Sequence, residues 1–425
     1  MKLSRRRLIQ SSLALGAMGG ITWLKPEDIG KDHSPYFQAL SRTLSQADFT
    51  RPTLVIDKAR LQQNIQTLKA RIADHYAYRI VVKSLPSLPL LDLVARETGT
   101  NRFMLFDELF LLKLLQHKPD SDVLLGKPLP AKGAQKILTQ LDQASGSRIR
   151  WLIDSAERLS EYQALARQRE QALRINLEID IGLHRGGIQS KDQLIKALNI
   201  IRNEPLLSFD GFMGYEPHIV KIPGDASTHL ASALKQYQDF LDIAKSLLAD
   251  SFPKQPILNT AGSPSYQLHT ALAHAGNMQS PCNELSAGSC LVKPADFDLP
   301  SLADHQAACF IASPVLKALP ETEIPGVAGL GKLMAWWNPN FKRSLFTYGG
   351  YWKAKPVSPE GLRYNPLYGR SSNQEMLNAS ASVRLKMNDW VFLRPTQSEA
   401  VFLQFGAIAV YDNKQINETW PVFSA

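Results

Sequence analysis

From residue 78 onward, short apolar runs alternate with longer amphipathic stretches. Eight of the runs read as strands: Arg79–Lys83, Arg102–Phe106, Asp122–Gly126, Arg148–Asp154, Arg174–Ile181, Phe209–Tyr215, Pro256–Ala261 and Asn283–Val292. Between them, apolar residues recur at three- and four-residue steps, the spacing that buries one face of a helix. Thr228–Leu248 shows this clearly; Asp107-Glu108 opens another such stretch, and Ser155 a third. Strict alternation of strand and helix predicts a parallel sheet with right-handed crossovers. Eight units in roughly 210 residues match a closed (β/α)8 TIM barrel of the α/β class better than an open sheet. An open sheet would call for a Gly-rich fingerprint after its first strand, and KSLPS at Lys83–Ser87 is not one.

After residue 300 the pattern changes. Ala307–Pro314, Leu345–Trp352, Ser382–Lys386, Trp390–Arg394, Glu399–Phe405 and Ala407–Tyr411 are short, turn-separated runs, which predict a C-terminal all-β domain over 300–425. The barrel is expected over 50–295, with a helix at Lys58–Asp74 leading into it. The apolar segment Pro52–Asp57 (PTLVID) reads as one more strand, expected to pair with the first barrel strand or to join the C-terminal domain.

Composition narrows the class. Hydrophobic residues make up 44% and charged residues 20%, as in chains that pack a core. The net charge is +9; Lys2, Arg5, Arg6 and Arg7 contribute four of these charges, leaving +5 on the rest. With no basic stripe interleaved with aromatics, nucleic acid is not an expected partner. Cys282, Cys290 and Cys309 form no CxxC pair and read as small core residues.

The first 30 residues read as an address. Ser4-Arg5-Arg6-Arg7-Leu8-Ile9 is a basic segment of twin-arginine type, followed by the weakly apolar Leu8–Leu24. This predicts export to the periplasm by the twin-arginine pathway, with a basic N-terminal anchor helix as the alternative. Beyond that segment no membrane partner is expected.

In barrels of this kind reactive groups lie at the C-terminal ends of the strands, and phosphate is often held after strands seven and eight. Lys83 ends strand one. Strand seven runs into Asn259-Thr260-Ala261-Gly262-Ser263-Pro264-Ser265-Tyr266, and strand eight contains Ser286-Ala287-Gly288-Ser289. Paired Gly and Ser let amides and hydroxyls approach an anion, although each stretch also reads as a plain turn. A lysine facing a phosphate site inside a barrel points to a Schiff base with pyridoxal phosphate. In strand five, Glu178 and Asp180 alternate with apolar residues and point inward, and buried acids need partners. Arg185 is a candidate partner, or a contact to the cofactor. Tyr215 and His218 sit at the end of strand six; His184 and His218 read equally as site residues and as hydrogen-bonded loop histidines.

Taken together, PTLVID, the lysine of VVKS, EIDIGLHRGG, GFMGYEPHI, NTAGSPSY and NELSAGS give the chain a resemblance from Arg51 onward. It resembles the D-threonine aldolase and D-serine dehydratase group of fold-type III pyridoxal-phosphate enzymes, within the alanine racemase barrel superfamily. The resemblance implies an N-terminal barrel, a C-terminal β domain and a head-to-tail homodimer. It implies Lys83 as the Schiff-base lysine, Arg185 facing the cofactor ring oxygen, and Tyr215 lining the cofactor or substrate site. Gly262, Ser263, Gly288 and Ser289 would bind the phosphate. The implied substrate is a D-β-hydroxy-α-amino acid, and the implied reaction is a lyase reaction: cleavage to an aldehyde and glycine, or loss of the hydroxyl to give a keto acid and ammonia.

One stretch departs from the group. Its members carry a His-x-Cys metal pair that grips the substrate hydroxyl, whereas here Gln397 and Glu399 occupy the two positions, in RPTQSEA. Oxygen ligands suit a hard divalent ion such as Mg²⁺ or Mn²⁺. The other alternative is a site without metal, in which one of the two contacts substrate. Tyr348–Lys353 and Tyr368–Glu375 read as active-site loops or as dimer packing. A racemase on the same fold, with Tyr351 of a partner subunit as second base, is the competing activity. A non-catalytic pyridoxal-phosphate-binding protein is a further alternative, against which residues 300–425 argue. An exported barrel binding some other phosphate ligand is the last.

Overall fold

The computed structural model describes residues 25–73, 75–275 and 280–424. The twin-arginine segment and the apolar run after it, residues 1–24, lie outside the described residues. Two compact units are distinguished. Of the described residues, one comprises those within 56–309, 396–413 and 418–424; the other comprises 25–55, 310–395 and 414–417.

In the first unit, eight parallel strands close into a barrel: β2 (Ala77–Val81), β3 (Arg102–Leu105), β4 (Asp122–Leu125), β5 (Ile149–Ile153), β6 (Leu173–Glu178), β7 (Leu207–Met213), β8 (Ile257–Thr260) and β9 (Glu284–Ala287). The last strand closes against the first, with Ile80 opposite Ala287. Most of these strand residues are buried, because helices cover the outside and side chains fill the inside. The register of β6 on β7 shifts between Ile175 and Asn176, opposite Gly211. Gly211 has φ +144°, and a β-carbon there would meet the Ile257 carbonyl oxygen at 2.0 Å, so the irregularity requires glycine. The helices start where local chemistry fixes them. Asp107 accepts from the amides of Leu109 and Phe110 at the head of Glu108–His117, and Ser155 accepts from Arg158 N at the head of Ala156–Arg169.

The second unit carries a mostly antiparallel sheet. β10 (Cys309–Leu319) pairs with β11 (Arg343–Tyr348) and β15 (Trp390–Pro395); β11 pairs with β14 (Gln374–Ala379), β15 with β12 (Ala354–Ser358), and β14 with the short β13 (Arg363–Tyr364). Strands Ala407–Asp412 (β16) and Gln415–Pro421 (β17) follow in sequence.

Several expected elements take a different form. Thr53–Asp57 (β1) neighbours β10 rather than the first barrel strand, whose two edges are already taken by β3 and β9. The run Asn283–Val292 is a four-residue strand that stops at Gly288, followed by the short helix Ser289–Val292. Ser382–Lys386 is not a strand: Ser382 N donates to Ser380 Oγ and Lys386 N to Asp389 Oδ2, local bonds that compete with a ladder. Glu399–Phe405 is not a strand either. Ser398–Phe402 is a short helix in which the adjacent Val401 and Phe402 are both buried, which a strand facing one core cannot do.

Candidate active site

Toward the N-terminal ends of its strands, the barrel interior is ionic. Arg79 is fully buried and donates to both oxygens of Glu284 at 2.6 and 2.9 Å, with Asp122 at 2.8 Å. Arg150 joins Asp122 to Asp210, which also pairs with Arg174. Burial works against the charge on Arg79, and its two carboxylates more than offset this, so its pKa is raised. Asn259 donates to Glu284 Oε1 and to Ser286 Oγ, both at 2.8 Å, and so links this network to the floor of the cavity above.

Past the C-terminal ends of the strands lies a cavity that opens to solvent. Lys83, Arg185, Tyr215, Gly262, Ser263, Gly288 and Ser289 all line it, together with Glu399. Lys83 falls just beyond β2, in the turn Val82–Ser84, rather than at the last position of the strand. Its ammonium lies 3.3 Å from Glu399 Oε1 and 4.6 Å from the centre of the Phe106 ring. Arg185 sits over the ring of Tyr215 at 5.0 Å. Burial, slightly relieved by Arg185, pushes the Tyr215 hydroxyl up to about 12, so it stays protonated near neutrality.

Ser263 ties the two Gly-Ser turns together. Its hydroxyl oxygen accepts from Gly288 N at 3.1 Å and Cys290 N at 3.0 Å. This buried side chain also meets the Cys290 thiol, whose pKa its hydroxyl lowers against the effect of burial, and it lines the cavity. Ser289 donates to Ser84 Oγ at 2.9 Å, which fixes the second turn against the lysine turn. A β-carbon at Gly288 would lie 2.7 Å from the Val81 carbonyl oxygen, so the close approach of β9 to β2 at this point needs glycine.

The structure adds a residue that the sequence reading passes over. Glu216 is fully buried and accepts from Thr260 Oγ1 and Ser265 Oγ at 2.7 Å, Ala261 N at 3.3 Å and His269 Nε2 at 3.1 Å. Burial opposes its ionisation, but His269 and the two hydroxyls outweigh this and bring its pKa down to about 2. One carboxylate thus shapes the whole turn after β8. Its signal in the sequence is an acid in an otherwise apolar strand end (GFMGYE) with three hydroxyl residues in the facing turn.

Other candidates do not join the cavity lining. Asp180 accepts from the amides of Gly182 and His184, both at 3.0 Å, and from His184 Nδ1 at 2.8 Å, so its partners are its own loop and not Arg185. Burial raises the pKa of Glu178, with Arg185 opposing. His184 and His218 line no part of the cavity, and neither does Gln397, which is exposed. The three cysteines are free and buried.

Residues 56–294, more than half of the chain, match the family described as alanine racemase, N-terminal domain. The chain belongs to the alanine racemase N-terminal domain family. Solved structures similar to it include D-threonine aldolase from Filomicrobium marinum, at 15% identity and TM-score 0.69, with 88% of this chain and 95% of that one covered. D-threo-3-hydroxyaspartate dehydratase from Delftia sp. HT23 aligns at 15% identity and TM-score 0.68, covering 89% and 98%. Alanine racemase of Clostridium difficile 630, in complex with cycloserine, aligns at 11% identity and TM-score 0.63, covering 87% and 98%. No curated protein matches the sequence. At these identities the structural likeness establishes the fold. Pyridoxal phosphate is the cofactor of the alanine racemase-like family. The cavity fits it: an amine beside an aromatic ring, a buried serine hydroxyl in the lining, and two turns in which glycine leaves room at the backbone.

A metal fits less well. Among the described residues, no group of three or more His, Cys, Asp or Glu side chains is placed to hold one. Gln397 is exposed and is not among the cavity's lining residues, and Glu399 stands 3.3 Å from the Lys83 ammonium.

Proposed function

We propose that the chain is a pyridoxal-phosphate lyase acting on D-β-hydroxy-α-amino acids, of the D-threonine aldolase or D-serine dehydratase type. The observation that carries this is the grouping of Lys83, Arg185, Tyr215 and both Gly-Ser turns around one cavity at the strand ends. When bound, pyridoxal phosphate supplies an electron sink for a bond broken at the α-carbon of an amino acid. The chain's own groups would do the rest. Lys83 is the amine available for covalent attachment, with the centre of the Phe106 ring 4.6 Å from it. Gly262, Ser263, Gly288 and Ser289, which line the cavity at its two Gly-Ser turns, would hold the phosphate. Arg185 would set a positive charge against the cofactor ring oxygen, and Tyr215 would keep its proton as a hydrogen-bond donor.

The test is spectroscopic. Protein loaded with pyridoxal phosphate should show a lysine-imine band that D-threonine and D-serine perturb, with aldehyde or ammonia as product. A Lys83→Ala protein that keeps the band sinks the reading. The competing racemase reading draws on Tyr351, a residue 64% exposed on a left-handed backbone (φ +57°), with its amide donating to Glu375 Oε2 at 2.6 Å. Chirality measurements on separate D- and L-substrates decide between the two.

Export by the twin-arginine route and a homodimer complete the proposal. The first draws on Arg5-Arg6-Arg7, and the compartment reached by an Arg5→Lys, Arg6→Lys chain tests it. The second draws on exposed apolar side chains of the second unit, Val327, Leu333, Trp336 and Leu367, and sedimentation equilibrium tests it.

A further inference from the structure

Charge in the cavity is unevenly distributed. Two cations, Lys83 and Arg185, line it, and Glu399 is the one carboxylate among its lining residues. Glu399 is held there by built structure. The helix Ser398–Phe402 buries Ser398, Val401 and Phe402, and the carbonyl of Thr396, just before it, accepts from Asp296 N at 3.2 Å. The Glu399 carboxylate therefore stands 3.3 Å from the amine that is the natural point of covalent attachment.

The resemblance assigns a metal ligand to this position, where a cation would grip the substrate hydroxyl. Here the sign is reversed. The second position, Gln397, is exposed and outside the cavity lining, and no group of three His, Cys, Asp or Glu side chains among the described residues is placed to hold a cation. The donor set does not fit the metal, and the carboxylate acts in its own right.

We infer that Glu399 determines substrate specificity: it selects amino acids with a neutral β-hydroxyl and rejects those with an acidic group on the β-carbon. This rests on the lyase reading above. A hydroxyl beside Lys83 can donate to the carboxylate, a charge-assisted hydrogen bond. A second carboxylate in the same place meets a like charge in a partly desolvated site, where the interaction is several times stronger than in water. The α-carboxylate is common to all amino acids, so comparing two substrates that differ only at the β-carbon isolates the effect.

D-threonine and D-threo-3-hydroxyaspartate form such a pair, methyl against carboxylate. Wild-type protein and Glu399→Gln, both loaded with pyridoxal phosphate and treated with chelator, are titrated with each while the cofactor absorbance is followed. The readout is the ratio of half-saturating concentrations, independent of turnover. The wild type should favour D-threonine by about tenfold or more, and the variant should bring the ratio back by about the same factor. Borohydride trapping of the Lys83 adduct confirms that the variant holds its cofactor, and added Mn²⁺ should leave the wild-type ratio unchanged. An equal ratio in variant and wild type, a wild-type preference for the acidic substrate, or a reversal by Mn²⁺ overturns the role of Glu399 and leaves the lyase reading standing. No spectral response to either substrate overturns the lyase reading, and this inference with it.

Discussion

The two ends of the barrel use the same residue types for opposite ends. Toward the N-terminal ends of the strands, Arg79 is buried completely, with Glu284, Asp122 and two backbone carbonyls around it. At the other end, Lys83 is 41% exposed and shares a single carboxylate, and Arg185 has an aromatic ring as its contact. A cation with every donor engaged is part of the scaffold, because moving it would strand a buried carboxylate. A cation with donors to spare can turn to a ligand. Asn259 and Ser286 lie between the two regimes, bonded to the network and lining the cavity.

Breaking each end should therefore give opposite results. Lys83→Ala should lower turnover by roughly 10³-fold or more, since no neighbour can replace the amine, while the unfolding free energy moves by less than about 0.5 kcal/mol. Arg79→Ala should do the reverse. It leaves Glu284 and Asp122 without their main partner and should cost about 3–5 kcal/mol of stability. Denaturant titration and single-turnover kinetics on both proteins check the contrast; a Lys83 variant destabilised as much as the Arg79 variant would erase it.

The mouth also has a scaffold component, and Glu216 is the sharper test of it. With its folded pKa held near 2, below the usual 4.5, its contribution is complete above the ordinary carboxylate range and is lost as pH falls toward 2. Glu216→Gln should cost roughly 1–3 kcal/mol at neutral pH, because an amide cannot accept from all four donors, and should flatten the stability profile at acid pH. Cofactor affinity should weaken as the turn 261–265 loosens, while the Lys83 adduct still forms. A variant with an unchanged acid limb would mean that other carboxylates set it.

The barrel is legible in the sequence because its strands are buried on both faces and read as largely apolar runs, such as IVV before Lys83 and WLI at 151–153. The second sheet is far less so. Gln374–Ala379 (QEMLNA) has no apolar alternation, and Asn378 is held by Thr322 Oγ1 and Arg343 O, partners distant in the chain. The helix Leu330–Trp337 (LGKLMAWW) has almost no polar face for a period to show. Within the site, Lys83 and the Gly-Ser turns stand out because each is a local anomaly at a strand end. Glu216 does not, since its meaning lies in donors 44 to 53 residues away. Glu399 reads as part of a strand because RPTQSEAVF carries no cap signal strong enough to mark a five-residue helix, and Gln397 at its N-cap makes no side-chain bond.

Gln397 supplies the smallest expected effect. It stands two residues from Glu399, at the other position that the resemblance assigns to a metal ligand, yet it is exposed and lines no part of the cavity. If the pair worked as a metal site, removing either member would cripple it alike, since ligand loss is felt through the shared ion. If Glu399 acts alone as a carboxylate facing Lys83, Gln397→Ala should change stability by less than about 0.5 kcal/mol, as surface substitutions do, and leave cofactor affinity and the D-threonine response unaltered. Titrating Gln397→Ala and Glu399→Gln side by side, with and without Mn²⁺, separates the cases. Matching losses in both variants that Mn²⁺ restores would mean that this mouth is run by an ion after all. A silent Gln397→Ala beside an altered Glu399→Gln places the whole effect on one carboxylate, the counterpart at the mouth of what Glu284 is to Arg79 below.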